Sequence, residues 1–89
     1  MSDEELITRY IELDPHRPEL ARARLKEYAV PVWALIGYLR TPGADLERVA
    51  ADYEVPLAAV QAALAYYRRH PAPIDAWIAA NNAELLHAA

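Results

Sequence analysis

The sequence predicts a mainly α-helical chain: a small helix-turn-helix bundle of three helices, with a short extended or β arm before it and an extra helix after it. Two observations lead to this prediction. The chain has 89 residues, which suits one small domain. Apolar residues recur at helical spacing in successive segments, and proline or glycine separates these segments. A generic small helical bundle would show the same spacing, so that alternative stays open.

Residues 1–30 are interpreted as an N-terminal extended arm. Within it, residues 7–13 contain β-branched and aromatic side chains and end at the turn signal Asp14-Pro15, so we expect a short strand. Its apolar side chains are Ile7, Ile11 and Leu13. They have no obvious partner in a chain this small, and pairing of two arms in a homodimer would bury them.

The second half of the arm is ambiguous. Residues 18–28 have good helix propensity, and Pro18 suits a first helical position. In a strand, however, Arg22, Arg24 and Lys26 would share one face, whereas in a helix they would spread around it. Either way, these three cations are candidates for contacts with DNA phosphates.

The predicted helix-turn-helix core spans residues 31–70. Pro31, Asp45 and Pro56 are each placed to start one of its helices. The apolar stripes of the first two helices are Val32, Leu35, Ile36 and Leu39, and Leu46, Val49, Ala50 and Tyr53. The predicted buried stripe of the third helix is Leu57, Val60, Leu64 and Tyr67. Two helices joined by a short turn and preceded by a helix are typical of DNA-reading domains.

The third helix offers few groups that can read DNA. With the predicted stripe buried, its outward residues would be Ala58, Ala59, Gln61, Ala62, Ala65, Arg68 and Arg69. Base readout needs hydrogen-bonding side chains, and only Gln61 provides them near the helix start. Arg68 and Arg69 lie at the far end, where phosphates are the better targets. We place Ala62 outward, alongside the DNA.

Residues 71–89 are expected to form the extra C-terminal helix. The apolar side chains mostly on one of its faces are Ile74, Trp77, Ile78 and Leu85. This spacing suits either closure of the bundle or helix-in-groove binding of a partner, for which Trp77 and Ile78 are the candidates.

Composition excludes several classes of function. The chain has no cysteine, so disulfides and thiolate chemistry are impossible. His16, His70 and His87 lie far apart and lack carboxylates at metal-ligand spacing, so no enzyme activity and no cofactor are expected. No apolar run is long enough to span a membrane, and the acidic start does not resemble a secretory signal. A cytoplasmic protein is expected. The net charge of −4 is unusual for a DNA-binding domain.

Three stretches, ITRYIELDP, ARARLKEYAVPVWALIGYL and ADLERVAADYEVPLAAVQAALAYYRRH, together resemble the family catalogued as domain of unknown function 433. The family is similar to the antitoxin half of VapBC-type toxin–antitoxin pairs, and its fold is a homeodomain-like helical unit with a short β arm. The resemblance therefore favours an extended conformation for residues 22–28. The family's Gly-Thr-Arg segment falls on Glu27, Tyr28 and Ala29, so a glycine and a base are lost and an acid is gained.

The resemblance implies an antitoxin-like regulator that dimerises, binds a PIN-like ribonuclease toxin and weakly binds its operator DNA. The alternative is a protein-interaction module whose helix-turn-helix no longer binds DNA. The candidate DNA contacts are Arg22, Arg24, Lys26, Gln61, Arg68 and Arg69. The candidate partner or dimer contacts are Ile7, Ile11, Leu13, Trp77 and Ile78.

Overall fold

A computed structural model describes the backbone of residues 2–88 and the side chains of residues 2–81. The helices of this part are α1 (Asp3–Tyr10), α2 (Val32–Leu39), α3 (Leu46–Tyr53), α4 (Leu57–Arg69) and α5 (Pro71–Ala88). Strands β1 (Ile11–Glu12) and β2 (Arg24–Leu25) form an antiparallel sheet. The predicted mainly helical fold, with a short β segment and a C-terminal helix, is confirmed. Within residues 2–88, no helix combines the length and apolar character of a membrane span.

The N-terminal segment begins with a helix, and the strand expected over residues 7–13 is wrong for most of its length. Ser2 caps α1, because its hydroxyl accepts from the Glu5 amide at 3.2 Å and donates to the Glu5 carboxylate. This side-chain cap, with three acidic residues in the first turn, favours helix over the β propensity of Ile7. Of residues 7–13, Ile11 and Glu12 form the strand.

The two strands connect the N-terminal segment to the core. Ile11 pairs with Leu25 and Glu12 pairs with Arg24, and both Ile11 and Leu25 are buried. The ambiguous residues 18–28 contain a 3₁₀ turn at Leu20–Arg22 followed by β2. The extended conformation expected for residues 22–28 is therefore confirmed only at β2.

Helices α2 and α3 follow the predicted pattern. Val32, Leu35 and Ile36 are almost fully buried on α2. On α3 the buried residues are Val49 and Ala50, and the Asp45 side chain caps the helix by accepting from the Arg48 amide at 2.8 Å. Both apolar stripes therefore face the common core, as their spacing predicts.

Helix α4 lies at the centre of the molecule, and its predicted orientation is only partly right. Val60 is buried and Gln61 and Arg69 are exposed, as expected. Its buried residues are Ala59, Val60, Ala62, Ala63, Ala65 and Tyr66. Leu57, expected to be buried, is 40% exposed, whereas Ala62, expected to face DNA, has no exposed surface. The helix is turned because α1, α2 and α3 all pack on it, and its small alanine side chains allow them to approach closely.

Helix α5 closes the bundle. Ile74 and Ile78 are buried in the common core, while the side chain of Leu85 lies outside the described residues. A polar network also holds the start of α5. The Tyr67 hydroxyl donates to the Asp75 carboxylate at 2.7 Å, and Arg40 contacts both groups. α2, α4 and α5 therefore meet at one hydrogen-bonded point.

The burial of Ala62 makes a clear prediction. Ala62→Glu should lower the free energy of unfolding by about 3 kcal/mol or more, because a carboxylate would enter the closely packed core without a partner. Gln61→Glu is the matched control, since Gln61 is the exposed neighbour and should lose little stability. Urea unfolding followed by circular dichroism measures both variants. Equal stability of the two would contradict the orientation of α4.

The contact of Asp75 predicts a pH dependence. The hydrogen bond from Tyr67, helped by Arg40, lowers the pKa of Asp75 below its ordinary range. The contribution of the Asp75 carboxylate to the free energy of unfolding should therefore be complete above ~pH 4. It should be lost as the pH falls through the lowered pKa. Asp75→Asn should flatten the decline of Tm in strong acid, measured by thermal melts between about pH 2 and pH 6. An unchanged decline would show that the network does not hold α5.

Candidate functional site

The exposed stripe of α4 is the surface that a DNA-reading helix would present. It contains Leu57, Gln61 and Arg68, with Leu64 half-buried between them. Arg68 is occupied: its Nη2 atom lies 2.9 and 3.1 Å from the two carboxylate oxygens of Asp3. Thus α1 lies against α4 and neutralises one of its cations.

Arg22 is the last residue of the 3₁₀ turn, and its side chain packs against α5. Its guanidinium is 4.4 Å from the centre of the Trp77 ring, and its Nε atom is 3.4 Å from the Glu19 carboxylate. Arg22 Nε and Trp77 Nε1 are both buried without a hydrogen-bond partner. The cation therefore covers the half-buried indole instead of extending into solvent.

Arg24 and Lys26 flank Leu25 and make different contacts. Arg24 Nη2 lies 3.4 Å from the Glu12 carboxylate across the sheet. Lys26 Nζ donates to the Thr8 backbone carbonyl at 2.7 Å, which joins it to α1. Both cations therefore contact the N-terminal segment, one through a charge and one through a neutral acceptor.

The predicted DNA contacts are thus distributed over separate elements. Gln61, Arg68 and the exposed Arg69 lie on α4, whereas Arg22 is stacked against α5. Arg22, Arg24 and Arg68 have acidic partners at 4 Å or less. The structure therefore does not present these cations as one unpaired basic surface.

A cleft that sequence reasoning did not identify lies where α1 ends. Its volume is about 270 Å³, and its lining residues are Arg9, Tyr10, Lys26, Glu27, Tyr28 and Pro56. We call it the tyrosine cleft. Three segments meet there: the end of α1, the loop after β2 and the connector between α3 and α4. Tyr28 is 38% exposed, and the Arg9 guanidinium lies 5.5 Å from the centre of the Tyr10 ring.

The family model described as Protein of unknown function (DUF433) matches residues 20–67, which is more than half of the chain. The chain belongs to this family. No curated protein and no solved structure matches the chain. The DUF433 match runs from the 3₁₀ turn almost to the end of α4. Helix α1 and both partners of the Asp3–Arg68 ion pair lie outside it.

The DUF433 segment contains a strained loop beside the tyrosine cleft. Glu27 and Ala29 have φ angles of 69° and 57°, the left-handed region that favours glycine. Hydrogen bonds from Leu25 to Val30 at 2.8 Å and from Ala29 to Leu25 at 3.0 Å close the loop. The glycine of the DUF433 pattern falls on Glu27, so the resemblance contained the signal for this backbone conformation.

The residues predicted to bind a partner have varied surroundings. Ile11 and Ile78 are buried within the chain, and Ile7 packs against the same core. Trp77 is half-buried beneath Arg22, whereas Leu13 is 42% exposed. The expectation that these side chains have no partner within the chain, which motivated the arm-to-arm dimer, is therefore wrong for Ile7 and Ile11. Among the described residues, no cluster of histidine and carboxylate side chains could hold a metal ion.

The strained loop predicts a stabilising substitution. Glu27→Gly should raise the free energy of unfolding by about 0.5–1 kcal/mol, because glycine adopts the left-handed conformation without a β-carbon clash. Glu27→Gln is the matched control, since it removes the charge and keeps the side chain. Urea unfolding compares the two. A gain from Gln as large as that from Gly would assign the effect to charge instead of backbone strain.

Proposed function

We propose that this protein is an antitoxin-like module that acts mainly by binding another protein, and that its partner is a PIN-like ribonuclease toxin. The observation that supports protein binding over DNA reading is the α1–α4 contact. Helix α1 packs on α4 and pairs Asp3 with Arg68. The toxin as partner rests on the family resemblance.

The proposed scaffold is a homeodomain-like helix-turn-helix. α2, α3 and α4 succeed one another as in such domains, and a three-residue connector joins α3 to α4. A DNA-reading helix needs a free face that can enter the major groove. In this chain α4 is the central packing element, and Gln61 is the one side chain near the start of its exposed stripe that suits base readout. The scaffold is therefore retained in this proposal while the reading surface is reduced.

Charge supports the same proposal. Affinity for DNA depends mainly on cations that replace counterions at the phosphates. Arg22, Arg24 and Arg68 already have acidic partners, and the chain carries a net charge of −4. Approach to DNA would therefore oppose the overall charge and would require these ion pairs to open. Weak operator binding through Gln61 and Arg69 is the remaining DNA role.

Exposed apolar side chains support binding to protein. Leu13, Leu20, Tyr28 and Leu57 are each between 38% and 43% exposed. Tyrosine is enriched at protein interfaces because its ring is apolar and its hydroxyl can hydrogen-bond. The proposed homodimer would use the same kind of surface, and sedimentation equilibrium at micromolar concentration measures it.

Freeing the cations should raise DNA affinity. The triple variant Asp3→Asn, Glu12→Gln, Glu19→Gln removes the acidic partners of Arg68, Arg24 and Arg22. It should bind any duplex about tenfold more tightly than the unaltered protein at about 50 mM salt, and the gain should shrink at about 200 mM.

The matched control for this test is Glu4→Gln, Glu47→Gln, Glu54→Gln, which changes net charge equally and leaves those pairs intact. Fluorescence anisotropy with operator and scrambled duplexes measures both triple variants. Equal gains would show that overall charge decides affinity, instead of pairing. Tight, sequence-selective binding by the unaltered protein would refute the proposal and favour a repressor.

Binding of the toxin is tested by co-expression with a PIN-like nuclease encoded beside the gene. The nuclease should co-purify with the chain, and its cleavage of RNA should be suppressed at equimolar ratio. A nuclease that stays separate and fully active would refute the antitoxin role.

A further inference from the structure

We propose that the tyrosine cleft binds an acidic segment of the protein partner, in which a carboxylate lies beside an aromatic or apolar side chain. This proposal rests on the proposed function, which supplies the expectation that the ligand is a protein. The cleft supplies both kinds of contact. Tyr10, Tyr28 and Pro56 provide apolar surface, and Arg9 and Lys26 provide cations.

The distribution of charge favours an anionic ligand. Among the described residues, ion pairs engage Arg22, Arg24, Arg40, Arg48 and Arg68. Four cations have no carboxylate within 4 Å in that part of the chain, and Arg9 and Lys26 are two of them. These two line the same cleft. Two cations that line one cleft without acidic partners attract a carboxylate from outside.

The donors in the cleft have capacity for a ligand. Lys26 Nζ uses one of its three donors on the Thr8 carbonyl, so two remain. Arg9 is exposed, and the guanidinium lies over the Tyr10 ring, which leaves its edge to form hydrogen bonds. Glu27 is the one acid of the lining. It opposes a second carboxylate, so the cleft suits one acidic side chain with an uncharged neighbour.

Backbone strain is concentrated at the same place. Glu27 and Ala29 remain in the left-handed region without being glycine, on both sides of the exposed Tyr28. Strained backbone of this kind clusters at binding sites, where it fixes a side chain before the ligand arrives. The loop therefore fixes the backbone that carries Tyr28 at the cleft and reduces the entropy lost on binding.

A peptide titration of the full-length chain tests the cleft. The probe is acetyl-Gly-Asp-Phe-Gly-amide, followed by amide chemical shifts of the ¹⁵N-labelled protein, and the matched peptide has Asn in place of Asp. The Asp peptide should saturate with shifts at Lys26, Tyr28 and neighbouring amides. Arg9→Gln and Lys26→Met should each weaken it about three- to fivefold, as expected for an exposed ion pair. Lys26→Arg should restore binding.

Two further variants complete the test. Glu27→Gln should strengthen binding about twofold, since it removes the opposing charge. Arg17→Gln is the control: Arg17 is an exposed cation outside the cleft, and its loss should leave the affinity unchanged. The thermal melting of each variant shows that it is folded.

Three results would overturn the proposal. They are equal binding of the Asp and Asn peptides, no saturable shift at millimolar peptide, or larger shifts at the same amides with a short DNA duplex or inorganic phosphate. The last result would assign the cleft to phosphate.

The co-expression experiment is a separate test. If the nuclease binds the unaltered chain and the double variant Arg9→Gln, Lys26→Met equally well, the cleft proposal is refuted and the antitoxin role stays intact. Failure of the nuclease to bind the unaltered chain refutes that role, while the peptide titration still decides the cleft.

Discussion

Close packing against the alanine-rich α4 is the constraint on which the rest of the structure depends. Ala59, Ala62 and Ala63 have no exposed surface, so α1, α2 and α3 can approach the helix axis closely. Tyr66 supplies the bulk that these alanines lack, and its hydroxyl donates to the Leu20 carbonyl at 2.7 Å. Burial raises the pKa of Tyr66 above its ordinary value. Helix α4, with three other helices packed on it, is therefore the central element of the hydrophobic core.

Charged side chains on the surface join elements that are distant in sequence. Asp3 and Arg68 connect α1 to α4, and Glu12 and Arg24 connect the strands. Exposed pairs of this kind contribute only about 0–1 kcal/mol each, so packing holds the fold. Their larger effect is on recognition. A cation paired inside the molecule is less available to a partner, so the pattern of pairing determines where an incoming anion binds.

The sequence predicts α2 and α3 well because two independent signals agree there. Asp45 provides a cap, and Val49 and Ala50 follow at helical spacing. The sequence predicts the orientation of α4 only in part, because alanine suits buried and exposed positions alike and its spacing therefore carries no orientation. The β propensity of Ile7 favours a strand, whereas the side-chain cap between Ser2 and Glu5 decides the local conformation. The tyrosine cleft depends on three segments far apart in sequence, and no local pattern brings these together.

The order in which the chain is synthesised gives the α1–α4 contact another consequence. An isolated helix of eight residues is marginal in water, so α1 needs α4 to remain folded. Its partner Arg68 follows Asp3 by 65 residues. During translation, α1 therefore leaves the ribosome before α4. The apolar face around Leu6 stays exposed to water until α4 is available to cover it. Contacts of such long range also close late in folding, because the loop must close before the contact stabilises it. We therefore expect α2, α3 and α4 to assemble before the N-terminal helix docks.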